Sequence, residues 1–390
     1  MIAAPATLGL LGGGQLGRYF VLAAQQLGYR VVVVDPQPDC PAASVADVHL
    51  VAAYDDPAAL VRLVAECAAV TTEFENVPAD ALRWLAAHRP VRPSAEAVGV
   101  CQNRLVEKRF LVEHGFPLAP FAAIARATDL EAAGDELFPG ILKVIRHGYD
   151  GKGQVRVATR AEALTAFAEL GGEACVLEAL LPLEGEVSVV LARGADGEVQ
   201  AYTPSENEHR HGILDVSIVP ARLPAERLAE AQAIARAIAE KLDYVGTLAV
   251  EFFLVGGALK VNELAPRPHN SGHWTLDACT VSQFEQQVRA LCGLPLGNPE
   301  AKQAAVMVNL LGDLWFDAQG AAREPDWAAI AAPDLTLHLY GKSDARPGRK
   351  MGHYTVLGDA VAPLRERAEA CRAALAPESA TPATQVQRAA

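Results

Sequence analysis

The first candidates for chemistry are two glutamates that fall in neighbouring strands. The sequence predicts strands at 247–255 and 259–262, joined by a glycine turn at 256–258. With a loop of three residues, Glu251 stands directly opposite Glu263, where two like charges repel each other. A divalent cation between the carboxylates reverses the sign of that interaction. Mg²⁺ is a natural occupant, because it takes few carboxylates and completes its shell with substrate phosphates.

A different loop length keeps a second register open. With a two-residue loop, Glu251 pairs with Asn262, and Glu263 turns to the other face of the sheet. In the first register Asn262 adds an oxygen donor beside the pair, and Mn²⁺ could take the place of Mg²⁺.

A glycine-rich segment lies between two further predicted strands, 140–145 and 155–158. It reads His147-Gly148-Tyr149-Asp150-Gly151-Lys152-Gly153-Gln154, and such a loop can fold backbone amides and a lysine over a polyphosphate. Lys143 lies on the preceding strand among four aliphatic residues, which is costly unless it meets an anion. The alternative is a solvated turn beside a lysine whose ammonium reaches solvent at the strand edge.

Two polar clusters and a pair of glutamates complete these candidates. The segment His269-Asn270-Ser271-Gly272-His273-Trp274 concentrates hydrogen-bonding side chains as a binding loop would. Lys342 and the segment Arg346-Pro347-Gly348-Arg349-Lys350 form a dense cation cluster, which is either a phosphate clamp or a solvated turn. Glu73 and Glu75 follow a predicted strand of the first region, where a parallel sheet has its ligand crevice.

The motif Gly12-x-Gly14-x-x-Gly17 lies between a predicted strand and a predicted helix. Such glycines allow a tight turn and the close approach of a phosphate to the helix N-terminus. Asp35 follows where a dinucleotide-binding fold places its ribose acid, so the motif suggests NAD. A glycine turn that serves packing alone is the alternative.

Three regions must position these side chains. Up to about residue 99, apolar strands alternate with helices, which predicts a doubly wound parallel sheet. The middle region mixes strands with a long helix at 224–242 and an irregular stretch before it, which suggests α+β. A third region begins near residue 304 with strands at 306–310, 335–340 and 353–357. The tail from residue 377 is rich in Ala, Thr, Pro and Gln, and we expect it to be disordered.

Composition limits the classes of function. The 390 residues are 51% hydrophobic and 21% charged, which is typical of a globular protein of several domains. A formal net charge of −13 disfavours nucleic-acid partners. We expect neither a signal peptide nor a membrane helix, because the first residues lack a basic segment and no apolar run approaches about 20 residues. Seven cysteines without a C-x-x-C pair indicate reduced thiols and a cytoplasmic location.

Four sequence blocks, which follow one another along residues 8 to 358, together closely resemble the N5-carboxyaminoimidazole ribonucleotide synthetases. These are ATP-grasp ligases of purine biosynthesis. The blocks are Gly12-Gly13-Gly14-Gln15-Leu16-Gly17-Arg18, Gly148-Tyr149-Asp150-Gly151-Lys152-Gly153-Gln154, Asn262-Glu263-Leu264-Ala265-Pro266-Arg267-Pro268-His269-Asn270-Ser271-Gly272-His273-Trp274 and Arg346-Pro347-Gly348-Arg349-Lys350-Met351-Gly352-His353. The resemblance implies a Rossmann-like domain that does not bind NAD (1–100), an ATP-grasp domain (101–300, with a lid at about 115–180), a small C-terminal domain (301–376) and a homodimer.

The family's reaction joins 5-aminoimidazole ribonucleotide (AIR) and bicarbonate at the expense of ATP. Bicarbonate is thought to attack the γ-phosphate to give carboxyphosphate, and the exocyclic amine of AIR then captures the carboxyl group. A sibling such as the formate-using glycinamide ribonucleotide transformylase is the alternative, and a catalytically silent ATP-binding regulator is another.

The resemblance also implies roles for individual residues. Glu251 and Glu263 would bind Mg²⁺. The residues implied around ATP are Arg104, Lys143, Gly148, Gly151, Lys152, Gly153, Gln154, Glu178, Ala179, Leu181, Glu186, His209, Asn262 and Glu263. Those implied around AIR are Gln15, Glu73, Tyr149, Asp150, Lys152, Ser271, Lys342 and Arg349. Those implied in catalysis are Lys152, Arg267, Asn270 and His273. The chain departs from the pattern at Lys152, where relatives often have arginine, and in the highly charged stretch around His209.

Overall fold

The computed structural model describes residues 1–146 and 153–376. A four-stranded parallel sheet in the order β3-β2-β1-β4 opens the fold. Alternate residues of its strands pack on opposite faces, with Leu8 and Leu10 in one core and Leu11 in another. Its elements are β1 (Thr7–Leu11), α1 (Gln15–Gln26), β2 (Arg30–Val34), β3 (Val48–Leu50), α2 (Pro57–Glu66), β4 (Ala69–Thr72) and α3 (Ala79–Ala86). This is the predicted sheet with helices on both faces.

A second, antiparallel sheet in the order β5-β8-β6-β7 carries Lys143 and Glu178 on neighbouring strands. Two helices connect it to the first region, and Asn103 caps the second of them through its side chain. The elements of this part are α4 (Ala95–Cys101), α5 (Arg104–Glu113), β5 (Phe121–Ile124), α6 (Ala127–Glu131), β6 (Gly140–Val144), β7 (Gln154–Val157), α7 (Arg160–Glu169) and β8 (Cys175–Ala179).

A nine-stranded sheet forms the rest of the described chain. Its order is β14-β13-β9-β11-β12-β15-β17-β16, with β10 paired to β9. The elements are β9 (Gly185–Arg193), β10 (Val199–Ala201), β11 (Ser205–Arg210), β12 (Ile213–Val219), α8 (Ala225–Lys241), β13 (Gly246–Val255), β14 (Ala258–Ala265), α9 (Thr275–Ala278), α10 (Gln283–Cys292), β15 (Ala304–Leu311), β16 (Leu335–Leu339), β17 (Lys350–Gly358) and α11 (Val361–Leu375).

One feature of this sheet differs from the sequence prediction. The stretch before the long helix is not irregular, because it contains β10, β11 and β12. The strands of the third region continue the central sheet, because β15 pairs with β12. The glycine-loop residues 147–152 and the expected tail at 377–390 lie outside the described residues. Within the described ranges, no helix is both long and apolar enough to span a membrane.

Candidate active site

The hairpin of β13 and β14 brings the two predicted glutamates together, although by a different route from the one expected. The loop has two residues, Gly256 and Gly257, both with positive φ, so the three-residue loop was wrong. A β-bulge next to Glu251 then shifts the register by one residue, and Glu251 pairs with Glu263 after all.

The bulge also places both carboxylates on one face of the sheet. On β14, Val261 and Leu264 both pack into the core beneath α8, although they are three residues apart. That spacing is only possible because an extra residue interrupts the alternation. Glu263 therefore leaves the α8 side, and it joins Glu251 on the opposite face.

The environment of this pair suits a divalent cation. Burial, and next the charge of Glu263, raise the pKa of Glu251 to about 7. Arg104 Nη1 lies 3.2 Å from Glu263 Oε2, and His269 Nε2 lies 3.1 Å from Glu251 Oε1. Two facing carboxylates are the oxygen donors that Mg²⁺ uses, and a cation between them would favour the ionised form of Glu251. Asn262 is the residue before Glu263 at the bulge.

A buried ion-pair triad lies on the second sheet. Lys143 Nζ is 3.1 Å from Glu178 Oε1, and Lys108 Nζ is 3.2 Å from Glu178 Oε2. Burial raises the pKa of Glu178, but the two lysines outweigh it and hold that pKa below its ordinary value. Lys143 thus meets an anion, as its apolar setting required, and this anion is a carboxylate of the same chain.

His209 and Glu186 form a second pair on the face of Glu251. His209 Nδ1 lies 3.1 Å from Glu186 Oε2. Burial lowers the pKa of His209, but its close contact with Glu186 and the charges of Glu186 and Glu251 raise that pKa above its ordinary value. Both residues come from neighbouring strands, because β11 pairs with β9.

A cavity of about 210 Å³ collects four of the residues predicted to bind AIR. Gln15 and Glu73 line it from the first sheet, and Lys342 and Arg349 line it from the connection between β16 and β17. A carboxylate and an amide on one wall and two cations on another match a phosphorylated ligand with polar ring substituents.

The glycine motif is occupied by carboxylates of the chain itself. Glu73 accepts hydrogen bonds from the backbone N–H groups of Gly14 and Gly17, both at 2.7 Å, and Asp35 accepts one from Gly13 at 2.7 Å. A Cβ at Gly14 would lie 2.7 Å from Glu73 Oε1, so the glycine permits this close approach. The amides that would hold a dinucleotide phosphate are engaged, and Asp35 points to the loop. This arrangement favours a glycine turn that serves packing over one that binds NAD.

The polar segment after β14 is largely buried. Asn270 is buried and exchanges two hydrogen bonds with Asn309, at 3.0 and 2.6 Å. His273 is fully buried beside the ring of His353, and Ser271 is also fully buried. Arg267 forms an ion pair with Glu75 from the first region. Neither Ser271 nor His273 lines the cavity described above.

The remaining predictions concern the adenine side and the glycine loop. The N–H group of Ala179 donates to Pro120 and that of Leu180 to Pro139, so the strand end before Leu181 is already fixed. Gly153 and Gln154 are described, and Gln154 pairs with Lys143 across β6 and β7. Gly148, Tyr149, Asp150, Gly151 and Lys152 lie outside the described residues.

Sequence reasoning missed Glu107 and Lys108, which are both buried. Glu107 accepts a hydrogen bond from the N–H group of Leu264 behind Glu263, and burial, then the charge of Glu263, raise its pKa to about 8. The only signal was a charged pair in the first turns of a helix, which looks the same as a solvated helix face.

Three family models match successive parts of the chain. They are the ribonucleotide synthetase preATP-grasp domain over residues 5–102, the ATP-grasp domain over residues 109–284 and the phosphoribosylaminoimidazole carboxylase C-terminal domain over residues 305–367.

Relatives cover nearly the whole chain. The N5-carboxyaminoimidazole ribonucleotide synthase of Brucella melitensis is 46% identical over 353 residues, which are 90% of this chain and 95% of that protein. The Staphylococcus aureus N5-carboxyaminoimidazole synthetase in complex with ADP has a TM-score of 0.88 at 38% identity, with 95% and 98% of the two chains covered. The Aspergillus clavatus synthase in complex with ADP and 5-aminoimidazole ribonucleotide has a TM-score of 0.84 at 29% identity, with 95% and 98% covered. Because the family models and these relatives together cover nearly the whole chain, the chain belongs to the N5-carboxyaminoimidazole ribonucleotide synthase family of ATP-grasp ligases.

Proposed function

We propose that this enzyme carboxylates the exocyclic amine of AIR, with bicarbonate as the carbon source and ATP as the driving substrate. An oxygen of bicarbonate attacks the γ-phosphorus of ATP, which gives carboxyphosphate and ADP. The amine of AIR then attacks the carboxyl carbon, phosphate leaves, and the amine loses a proton. The pairing of Glu251 with Glu263 across β13 and β14 carries this proposal. The same fold contains the cavity that Lys342 and Arg349 line.

The two glutamates would hold Mg²⁺, which when bound neutralises phosphate charge. Transfer of a phosphoryl group needs alignment and charge neutralisation more than covalent help from the protein. Arg104 supplies a cation at the pair, where Glu263 holds it, and Lys143 supplies a cation on the second sheet, where Glu178 holds it. We infer that the ATP phosphates compete with those carboxylates when the nucleotide binds.

The second substrate would occupy the cavity at the carboxyl edge of the parallel sheet. Lys342 and Arg349 offer two cations for the ribose phosphate of AIR, and Glu73 and Gln15 offer hydrogen-bonding groups on the facing wall. Burial raises the pKa of Glu73 to about 7, so near neutral pH this carboxyl group is poised between acceptor and donor.

Omission of single substrates tests the assignment. We expect ADP release to require both AIR and bicarbonate, and to stop when either is left out. Formate with glycinamide ribonucleotide should give no ADP release above background. ADP release that ignores AIR, or that runs with the formate pair, would contradict the proposed reaction.

Three further parts of the proposal concern the domain limits, the location and the oligomeric state. We place the domain limits at 1–100, 101–300 and 301–376, near the limits of the three family models. Seven unpaired cysteines support a reducing, cytoplasmic location. The homodimer follows from the family resemblance alone, and sedimentation of the full chain tests it.

A further inference from the structure

We propose that Glu107 is a positioning residue that holds the bulge of β14 and so keeps Glu263 opposite Glu251. This inference rests on the proposed function, because these two glutamates are the carboxylates assigned to the metal. Glu107 lies on α5, and its side chain is buried. Its Oε2 atom accepts a hydrogen bond at 3.0 Å from the backbone N–H group of Leu264, the residue that follows Glu263.

The outer edge of β14 shows where the bulge falls. Among the described strands, β14 pairs with β13 alone, so every second N–H group of β14 faces away from the sheet. The N–H group of Val261 is one of these, and it donates to the carbonyl oxygen of Pro117 at 2.7 Å. In a regular strand the next outward N–H group would belong to residue 263. The observed one belongs to Leu264, because Asn262 is the extra residue of the bulge.

The two acceptors along this edge are therefore spaced for the bulged strand. Without the bulge, the N–H group of Leu264 would turn towards β13, and the carboxyl group of Glu107 would lose this donor. Alternation of side chains would also carry Glu263 to the α8 side of the sheet, where Leu264 now packs. Glu107 thus favours the register in which Glu251 and Glu263 share one face.

Helix α5 is anchored at its start, which fixes the position of Glu107. The side chain of Asn103 accepts hydrogen bonds from two N–H groups of the first turn, at 3.0 and 3.2 Å. The N–H group of Arg104 donates to the carbonyl oxygen of Ile145, which follows β6, at 3.0 Å. Arg104 and Glu107 are three positions apart and share a helix face. Because Arg104 Nη1 also lies 3.2 Å from Glu263 Oε2, this face holds both the side chain of Glu263 and the backbone that follows it.

Four variants of α5 separate the hydrogen bond from the charge. Glu107→Met keeps an unbranched side chain of similar length but removes the acceptor. Glu107→Asp keeps the charge but withdraws the acceptor by one methylene group. Glu107→Gln removes the charge, yet its amide oxygen can still accept from Leu264. Glu113→Met removes an exposed carboxylate from the same helix and is the matched control.

The affinity of the ADP complex for Mn²⁺, measured by electron paramagnetic resonance of free Mn²⁺, reports on the two glutamates. Partners that orient the ligands of a metal typically change its affinity by about 10- to 100-fold when they are removed. We expect Glu107→Met and Glu107→Asp to weaken Mn²⁺ binding by about that factor. Glu107→Gln should stay within about threefold of the wild type, because the acceptor remains. Glu113→Met should bind Mn²⁺ as the wild type does, and all four variants should bind ADP without metal as the wild type does.

Amide hydrogen exchange in protein labelled with ¹⁵N-leucine and ¹⁵N-valine locates the effect within β14. Without metal, the N–H group of Leu264 should exchange at least about 10-fold faster in Glu107→Met than in Glu107→Gln, because its acceptor is gone. The N–H group of Val261 is the internal control, since its acceptor is the carbonyl oxygen of Pro117. Its exchange rate should be the same in every variant.

Three results would overturn the proposal. They are an unchanged Mn²⁺ affinity in Glu107→Met, an equal loss of affinity in Glu107→Met and Glu107→Gln, and unchanged exchange of the Leu264 N–H group in Glu107→Met. If Glu107→Met does not fold, Glu107→Asp gives the same test. A failure of the proposed function would appear separately, as Mn²⁺ affinity that Glu251→Gln leaves unchanged or as ADP release by the wild-type enzyme that ignores AIR or bicarbonate.

Discussion

Glu251→Gln should stabilise the metal-free protein while it abolishes turnover. The glutamate stands opposite Glu263 in a half-buried site, and burial with that like charge raises the pKa of Glu251 to about 7 from 4.5. A raised carboxyl pKa means that the folded state holds the proton more tightly than the unfolded chain. Stability is therefore complete below pH 4.5, and it is lost as the pH rises through about 7.

The size of the effect follows from the same values. At roughly 1.4 kcal/mol per pH unit, the raised pKa of Glu251 lowers the free energy of unfolding of the wild type by about 1 kcal/mol at pH 5.5 and by about 3 kcal/mol at pH 8.5. Glutamine is neutral throughout and nearly the same size, so Glu251→Gln avoids this cost. We expect its free energy of unfolding in EDTA to exceed that of the wild type by those amounts.

Urea unfolding at the two pH values, with and without Mg²⁺ and ADP, measures the difference. Mg²⁺ with ADP should stabilise the wild type and have little effect on the variant, and ADP release should fall by about 100-fold or more. Glu240→Gln removes one exposed negative charge from α8 and should change neither property. A variant that is less stable than the wild type at pH 8.5, or a difference that is equal at both pH values, would refute the reasoning.

Three other ion pairs give independent predictions. Lys143→Met keeps the volume of the side chain but leaves buried Glu178 with Lys108 alone. The free energy of unfolding in urea should therefore fall by about 3 kcal/mol, and a fall of less than about 1 kcal/mol would contradict the triad. The raised pKa of His209 means that its pair with Glu186 stabilises the fold fully below pH 6.5 and loses this effect as the pH rises through the raised value. Glu186→Gln should therefore lower the melting temperature more at pH 6 than at pH 9, and an equal change would count against the pair. Arg267→Met leaves Glu75 without its ion-pair partner. The double variant Arg267→Met with Glu75→Gln should therefore be more stable in urea than Arg267→Met alone. If the losses in the free energy of unfolding add, the two residues are not coupled.

Apolar patterns predicted the parallel sheet closely, because its strands are buried on both faces and read as continuous aliphatic runs such as Val31 to Val34. The same signal fails for β11. Ser205 and Asn207 on that strand are buried, but they are buried as polar groups that hydrogen-bond to Ser188 and Ser217, so the segment resembles a loop. Burial without hydrophobicity cannot be inferred from periodicity.

The candidate site shows a related limit. Residue types placed Glu251 and Glu263 on adjacent strands, but their register depends on a bulge that lets Val261 and Leu264 share one core. A bulge is set by packing against α8, which lies earlier in the chain, and no local motif encodes it. Lys108 was missed for the same reason, because its partner Glu178 is distant in sequence.

The continuous pairing of β12 with β15 bears on how the protein could be cut or recombined. If the chain were truncated after α10, the backbone N–H and C=O groups of β12 along that side would lose their partners. Exposed strand edges recruit other chains and promote aggregation. The part of the protein after α10 thus protects a sheet edge and also supplies Lys342 and Arg349, so it is poorly suited to exchange as an independent module.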